Sequence, residues 1–516
     1  MNFNIKSVDL MSIDELIGQV IMVGIPGLEL DEQYLKFIKD YKIGNYILFA
    51  RNYQDTKQMK NLMKHLYEYT NEVTDSFPLV SIDQEGGMVV RLFKDVTFPA
   101  SPMTTSATSI KNAPYETGKI IGKDMLKMGI NLNLAPCLEI NEALSNPLVN
   151  VRSYGQSKEN VLKNAKEFVR GLQESKVLSC IKHFPGDGSS TKDSHLELPI
   201  IDETKEKLLN YNMYPFMNLL ESDALMTSHC VYTSFDELPS TLSSVILEDT
   251  LRKEMGFKGL IISDGMEMKA IMDNYGVGEG CVMALNAGCD ILLLCHEYEE
   301  QLEAFLSVKK AVLEGRITVD LLKDKVRRIN DSKQKVKEGL SLYFNDVEYE
   351  VLKEEHALMQ EIVDNSYTLI KGKAPYINDN TLIISSSAKI ASIVEDEFDE
   401  RNLTKALEHN FLNNTVIKFE KSKDFVSSVI NKIDDYDNIV VYSYDAYKDE
   451  IQKELINTLL KTNKEIFVVS IKGPIDKSCF ENLKNYACLY EYTPNSIKTI
   501  VKQLKGEITL NGKLPN

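Results

Sequence analysis

The chain has 516 residues, with 59 Lys and Arg against 76 Asp and Glu, a formal net charge of −17. That balance excludes a nucleic-acid binder working by bulk positive charge, while 43% hydrophobic and 26% charged residues describe a soluble globular chain of two or three domains. Trp is absent beside 24 Tyr and 19 Phe, so any sugar site would grip its ligand by hydrogen bonds rather than on a wide stacking platform.

The N-terminal stretch MNFNIKSVDLMSIDELIGQVIMVGI has no basic n-region, and its apolar run follows the acidic capping stretch SIDEL; it does not read as a signal peptide. Later apolar runs stay short of the 18 residues of a membrane span. Eight β-branched runs then recur: IGQVIMVGI (17–25), IGNYILF (43–49), FPLVSID (77–83), GINLNLAP (129–136), LSCIKHF (178–184), DALMTSH (223–229), GLIISDG (259–265) and GCDILLLC (288–295). Between them, stretches such as DTKQMKNLMKHLYEYTNEV and KENVLKNAKEFVRGLQES repeat apolar residues at three and four spacing, as crossover helices do. Eight such units predict an α/β fold with a (β/α)8 TIM-like barrel over 1–345. A helical connector is expected over 346–372. The strand pattern restarts over 373–516 with TLIISSSA, TVIKF, NIVVYSYDA, EIFVVSIKG and ACLYEYT, a smaller α/β domain with a mainly parallel sheet. The 8 Cys show no CxxC or zinc spacing and read as buried free thiols of a reducing cytoplasm.

Chemistry in such a barrel gathers at the C-terminal ends of the strands. There the runs end in Asp83 and Glu85, Lys182 and His183, Ser228 and His229, and Ser263 and Asp264, and His296 follows the eighth run. The loop KHFPGDGSSTKDSHLELP (182–199) ends in Asp193-Ser194-His195, where a carboxylate two residues from an imidazole can fix its tautomer for acid/base work. An isolated pair of this kind is more often a solvated cap. Asp264 ends an apolar strand and suits a nucleophile as well as a helix N-cap. Gly276, Gly278 and Gly280 meet no phosphate-loop pattern and read as a flexible loop.

Taken together, LFARNYQD (48–55), SIDQEGGMVVRL (81–92), GINLNLAPCLEIN (129–141), VRSYG (151–155), CIKHFPGDGSSTKDSH (180–195) and IISDGMEMKAI (261–271) resemble glycoside hydrolase family 3, in its β-N-acetylglucosaminidase branch. The resemblance spans the barrel and extends loosely through NSYTLIKGK and GEITLNGKLP. It implies Asp264 as nucleophile, His195 oriented by Asp193 as acid/base, and Asp83, Arg91, Arg152, Lys182 and His183 as holders of the terminal sugar. Two positions depart from the family pattern: Asp187 stands where PGHG has His, and Met88 where DQEGG continues with Arg. Gly265 in place of the Trp of the β-glucosidase branch favours the N-acetylglucosaminidase branch.

The resemblance thus implies retaining hydrolysis of terminal β-linked N-acetylglucosamine from cell-wall muropeptides or chitin oligosaccharides, in the cytoplasm. No metal or organic cofactor is implied, and the partner expected is the N-acetylglucosaminide substrate, with neither nucleic acid nor membrane. Two other readings stay open: a β-N-acetylglucosaminide phosphorylase using phosphate as acceptor, because a neutral imidazole repels an anion less than a carboxylate does, and a non-catalytic sugar-binding protein on the same barrel.

Overall fold

The structure is a computed structural model that describes residues 3–142, 146, 149–190, 196–344, 352–386 and 402–516. The eight apolar runs become strands β1 (Ile21–Gly24), β2 (Asn45–Leu48), β3 (Leu79–Ile82), β4 (Leu132–Asn133), β5 (Leu178–Phe184), β6 (Ala224–Thr227), β7 (Leu260–Gly265) and β8 (Ile291–Leu294). They pair in chain order and close, β1 lying parallel to both β8 and β2. Their continuous hydrophobicity has a simple cause: each strand is covered on one side by helices and on the other by the barrel interior. Strand β4 keeps only two residues in register because Pro136, which has no N–H to donate, lies in its extension.

The crossover helices follow their patterns. Helix Thr56–Thr74 is capped by Asp55 and buries Met59, Leu62, Met63, Leu66 and Tyr67 along one stripe. Helix Lys158–Glu174, capped by Ser157, does the same with Val161, Ala165, Phe168 and Leu172. Gly278 and Gly280 correct the expected loop: they lie within helix Val277–Ala287, and an added Cβ at 278 would meet Ser307 Oγ at 2.2 Å, so close packing against the next helix explains the small residue.

A 26-residue helix, Val319–Phe344, runs beneath the N-terminal ends of the strands. Its Arg328 Nε donates to Asp290 Oδ1 (2.8 Å), its Lys333 Nζ to Gln19 Oε1 (2.7 Å) and its Lys335 Nζ to Asp223 Oδ1 (2.9 Å), residues that precede β8, β1 and β6. Asp290 is fully buried, takes a second partner in Arg252 at 2.5 Å and accepts the Ile261 amide at 2.9 Å.

The second unit is a six-stranded sheet in the order β9 (Thr368–Lys371), β14 (Asn485–Cys488), β13 (Glu465–Ser470), β12 (Asn438–Ser443), β10 (Thr381–Ser385), β11 (Thr415–Lys418). All neighbours are parallel except β9, which runs antiparallel to β14. The stretch 346–372 thus carries helix Lys353–Ser366 and then this edge strand. Side chains alternate across the sheet. Leu382, Ile384, Ile439, Val441 and Val468 pack under its own helices, while Ile383, Val440, Tyr442, Phe467 and Val469 share a cluster with Met88, Met103 and Val151 of the barrel.

Replacing Asp290 by Ala leaves Arg252 and Arg328 without their shared carboxylate at the barrel base. We expect a loss of about 3 kcal/mol, read by urea denaturation, with no change in KM because the site lies at the other end of the strands.

Candidate active site

The C-terminal mouth of the barrel encloses a cavity of about 590 Å³, within the range that holds one small ligand. Asp83, Arg91, Arg152, Lys182, His183 and Asp264 all line it, which brings together six of the eight residues singled out in the sequence. The other two, Asp193 and His195, lie outside the described residues.

The motif SIDQEGGMVVRL is explained almost residue by residue. Asp83 leaves β3 into the cavity. Gln84 turns inward, and its Oε1 accepts the amides of Arg91 (2.9 Å) and Leu92 (3.1 Å), fixing the return of the loop. Gly86 and Gly87 take φ of +104° and +61°, and a Cβ on either would meet Ala100 O at 2.2 Å or Ser101 Cβ at 2.3 Å. Arg91 then points back, its Nη2 at 3.9 Å from Asp83 Oδ2.

Glu85 is the hub. Its carboxylate accepts from Arg152 through Nε (2.9 Å) and Nη2 (2.7 Å) and lies 2.7 Å from Lys182 Nζ, which also donates to Asp83 Oδ1 at 2.6 Å. Glu85 is 1% exposed and Lys182 2%. Burial alone would push the Glu85 carboxyl up, but Arg152 and Lys182 outweigh it and hold it well below the usual carboxylate range. Likewise burial opposes the Lys182 charge, and Asp83 and Glu85 hold its pKa above the ordinary lysine value. The cations are therefore ionised and fixed before any ligand arrives.

His183 follows Lys182 through a cis peptide, and both side chains face the cavity. Glu139 Oε1 accepts both the His183 amide and its Nδ1–H, the latter at 2.7 Å, and among the described residues no hydrogen bond engages Nε2. Burial lowers the His183 pKa and Glu139 more than restores it, so the net shift is upward. Asp187 enters from the loop after β5 and faces Glu139; burial and that neighbouring charge push its carboxyl up to about 7. His183, Arg152 and the Cys230 thiol are among its other polar neighbours.

Asp264 ends β7, where Oδ1 accepts the Gly265 amide at 2.8 Å. The backbone just beyond is fixed by His229: Nε2–H donates to Gly265 O (2.9 Å), and Nδ1 lies 2.8 Å from the Thr241 hydroxyl oxygen. Glu267 Oε1 accepts the Cys295 amide at 2.6 Å and ties the same turn to the end of β8. Cys137, Glu139 and His183 also bring potential metal-ligand atoms within 4.8 Å of one another. Burial raises the Cys137 thiol well above its ordinary value, and Arg152 faces the same spot, so the trio fits a support for His183 better than a cation site.

Glu85, Glu139 and His229 had no role assigned from sequence. Glu85 and His229 stand at strand ends, where they were noted as reactive. Glu139 lies three residues past the fourth run, within GINLNLAPCLEIN, beyond the point where the apolar pattern marks a strand end.

A parallel barrel with a carboxylate at one strand end, facing fixed cations across the same mouth, has the parts that a barrel glycosidase uses. The profile described as "Glycosyl hydrolase family 3 N terminal domain" matches residues 12–331. The chain belongs to glycosyl hydrolase family 3 and is a glycoside hydrolase. It is 32% identical over 301 residues to a beta-hexosaminidase of Haemophilus influenzae strain PittEE, covering 56% of this chain and 83% of that one. A beta-hexosaminidase of Glaesserella parasuis serovar 5 is 33% identical over 284 residues, covering 54% and 81%. Among solved structures, a family 3 beta-N-acetylglucosaminidase from Paenibacillus sp. str. FPU-7 superposes with a TM-score of 0.91 at 31% identity, covering 98% of each chain. This similarity puts the chain in the β-N-acetylglucosaminidase branch of the family.

Glu139→Ala removes the acceptor that orients His183, and kcat/KM should fall about 10²-fold, equivalent to roughly 3 kcal/mol; steady-state kinetics on a nitrophenyl glycoside checks it, and Glu139→Asp should recover part of the loss. A second expectation concerns pH. In the folded chain Asp187 keeps its proton to about 7, against an ordinary value of 3.8, so the folded state binds more protons between these limits and stability falls as pH rises through them. Asp187→Asn, neutral throughout, should flatten that slope and remove an ionisation near pH 7 from the profile of kcat/KM. Curves superimposable on the wild type would assign the ionisation to another group.

Proposed function

We propose that the protein hydrolyses terminal, non-reducing β-linked N-acetylglucosamine with retention of configuration. The observation that carries the reading is Asp264 at the end of β7, sharing one cavity with the charge-fixed Lys182, Arg152, Arg91 and His183. Its beta-hexosaminidase relatives support the choice of sugar.

In this reading Asp264 attacks the anomeric carbon while His195, oriented by Asp193, protonates the departing oxygen; the same imidazole then takes a proton from water as water releases the sugar from Asp264. Imidazole does the work that a second carboxylate does in most retaining glycosidases. Lys182 has three N–H donors, and Asp83 and Glu85 engage two, so one is left for a sugar hydroxyl. Asp83 accepts from hydroxyls, and Arg91, Arg152 and His183 complete the grip on hydroxyls and acetamide. Because Glu85 and Glu139 have already organised these groups, little reorganisation is needed on binding. Residues 1–345 form the catalytic unit, and the substrates are muropeptides of cell-wall turnover or chitin oligosaccharides. A cytoplasmic setting belongs to the same reading, supported by seven buried cysteine thiols suited to a reducing compartment.

Incubation with 4-nitrophenyl N-acetyl-β-glucosaminide should release nitrophenol, and Asp264→Ala should lower the rate roughly 10⁴-fold. Absence of release, or equal release by the variant, would sink the proposal. In phosphate buffer the sugar product should be free N-acetylglucosamine; N-acetylglucosamine 1-phosphate as the main product would make the enzyme a phosphorylase.

A further inference from the structure

The loops that carry Arg91 and Arg152 are two-faced. In the loop after β3, Val89 and Arg91 line the cavity while Met88, 2% exposed, packs into the apolar face of the second sheet beside Tyr442 and Tyr492. The Tyr492 amide donates to Met88 Sδ at 3.3 Å. Downstream in the same connection, the Ser101 amide and the Thr104 hydroxyl both donate at 2.7 Å to Glu491 Oε2, a carboxylate of the second domain with no solvent exposure. In the loop after β4, Val149 lines the cavity, Arg152 reaches Glu85, and Val151 between them joins the same cluster as Met88. Asn150 holds φ +36°, and the second domain meets it with Gly473, where a Cβ would stand 2.9 Å from Asn150 Oδ1 and 3.4 Å from Val151 Cγ1.

Each loop therefore presents a cation to the cavity and an apolar side chain to the neighbouring sheet. Van der Waals packing of Met88 and Val151 against that sheet restricts the backbone on which the arginines stand. The departure at Met88 from the family's Arg fits this place: the buried side chain shares its cluster with Val151, Tyr442, Tyr444 and Tyr492, and a guanidinium there would have to give up its hydration on entering.

We propose that the second domain is a positioning element for sugar binding, with Met88 and Gly473 as the positioning residues that hold the Arg91 and Arg152 loops in register with the cavity. The proposal rests on the reading of that cavity as the sugar site, and its test has one arm that does not depend on activity. Met88→Ala and Gly473→Ala should each raise KM for 4-nitrophenyl N-acetyl-β-glucosaminide about tenfold while kcat changes less than threefold, as expected when ground-state grip rather than chemistry is lost. Met88→Leu, which restores the packing volume, should return KM to within about threefold of the wild type. In parallel, hydrogen exchange followed by mass spectrometry should show faster exchange over residues 83–91 and 149–155 in the two alanine variants, with the amides of β5 and β7 unchanged. Wild-type exchange in both loops overturns the positioning role whatever the activity, and so does a KM within twofold of the wild type in both variants at lowered melting temperature. An inactive wild type, together with loosened loops in the two alanine variants, would instead count against the sugar reading alone.

Discussion

The site depends on one carboxylate, Glu85, buried among cations from the end of β5 and the loop after β4. A lone ionised carboxylate at such depth is costly, and so are Arg152 and Lys182 without it. Each group is tolerable only with the others in place, so the ends of β3 and β5 and the loop after β4 are fixed to one another by charge. What this yields is a rigid, nearly neutral wall with donors already aimed. A flexible lysine in water would have to lose its hydration and rotamer freedom when the ligand binds; Lys182 has lost both on folding.

The net charge of −17 says little about this place. Locally, cations and anions alternate at hydrogen-bond distance, which suits recognition of a polyhydroxylated ring carrying no net charge. The missing Trp is consistent with the same logic: the cavity is lined by Asp83, Arg91, Lys182 and His183, groups suited to directional hydrogen bonds rather than to ring stacking.

Much of the fold was legible in the sequence because parallel barrel strands, buried on both sides, must be apolar throughout, and the crossover helices must show one stripe. Asp83, Lys182, His183 and Asp264 were legible for the same reason, since reactive groups stand out where an apolar run stops. Glu139 was hidden because its role arises only when the chain after β4 folds back beside β5. The pairing of Met88 and Val151 with the second sheet was hidden too: hydrophobicity announces burial but not against what. Strand β9 escaped notice because an edge strand with Leu369 and Lys371 exposed carries a mixed pattern, directly after a helix. Gly278 and Gly280 misled in the other direction, since a glycine cluster signals a turn unless a neighbouring helix comes close enough to require it.

The helix beneath the barrel has a consequence for how the chain is made. Val23 pairs with Leu294, and the contacts of Arg328, Lys333 and Lys335 with the strand bases come later still. On a ribosome the first strand therefore waits, its outer edge unpaired, until nearly the entire barrel has emerged. Closure is a late, non-local event, and such topologies fold slowly. During synthesis this chain is a half-open sheet in need of protection from neighbours until β8 arrives to pair with β1, and the basic residues of Val319–Phe344 then tie the bases of the closed strands together.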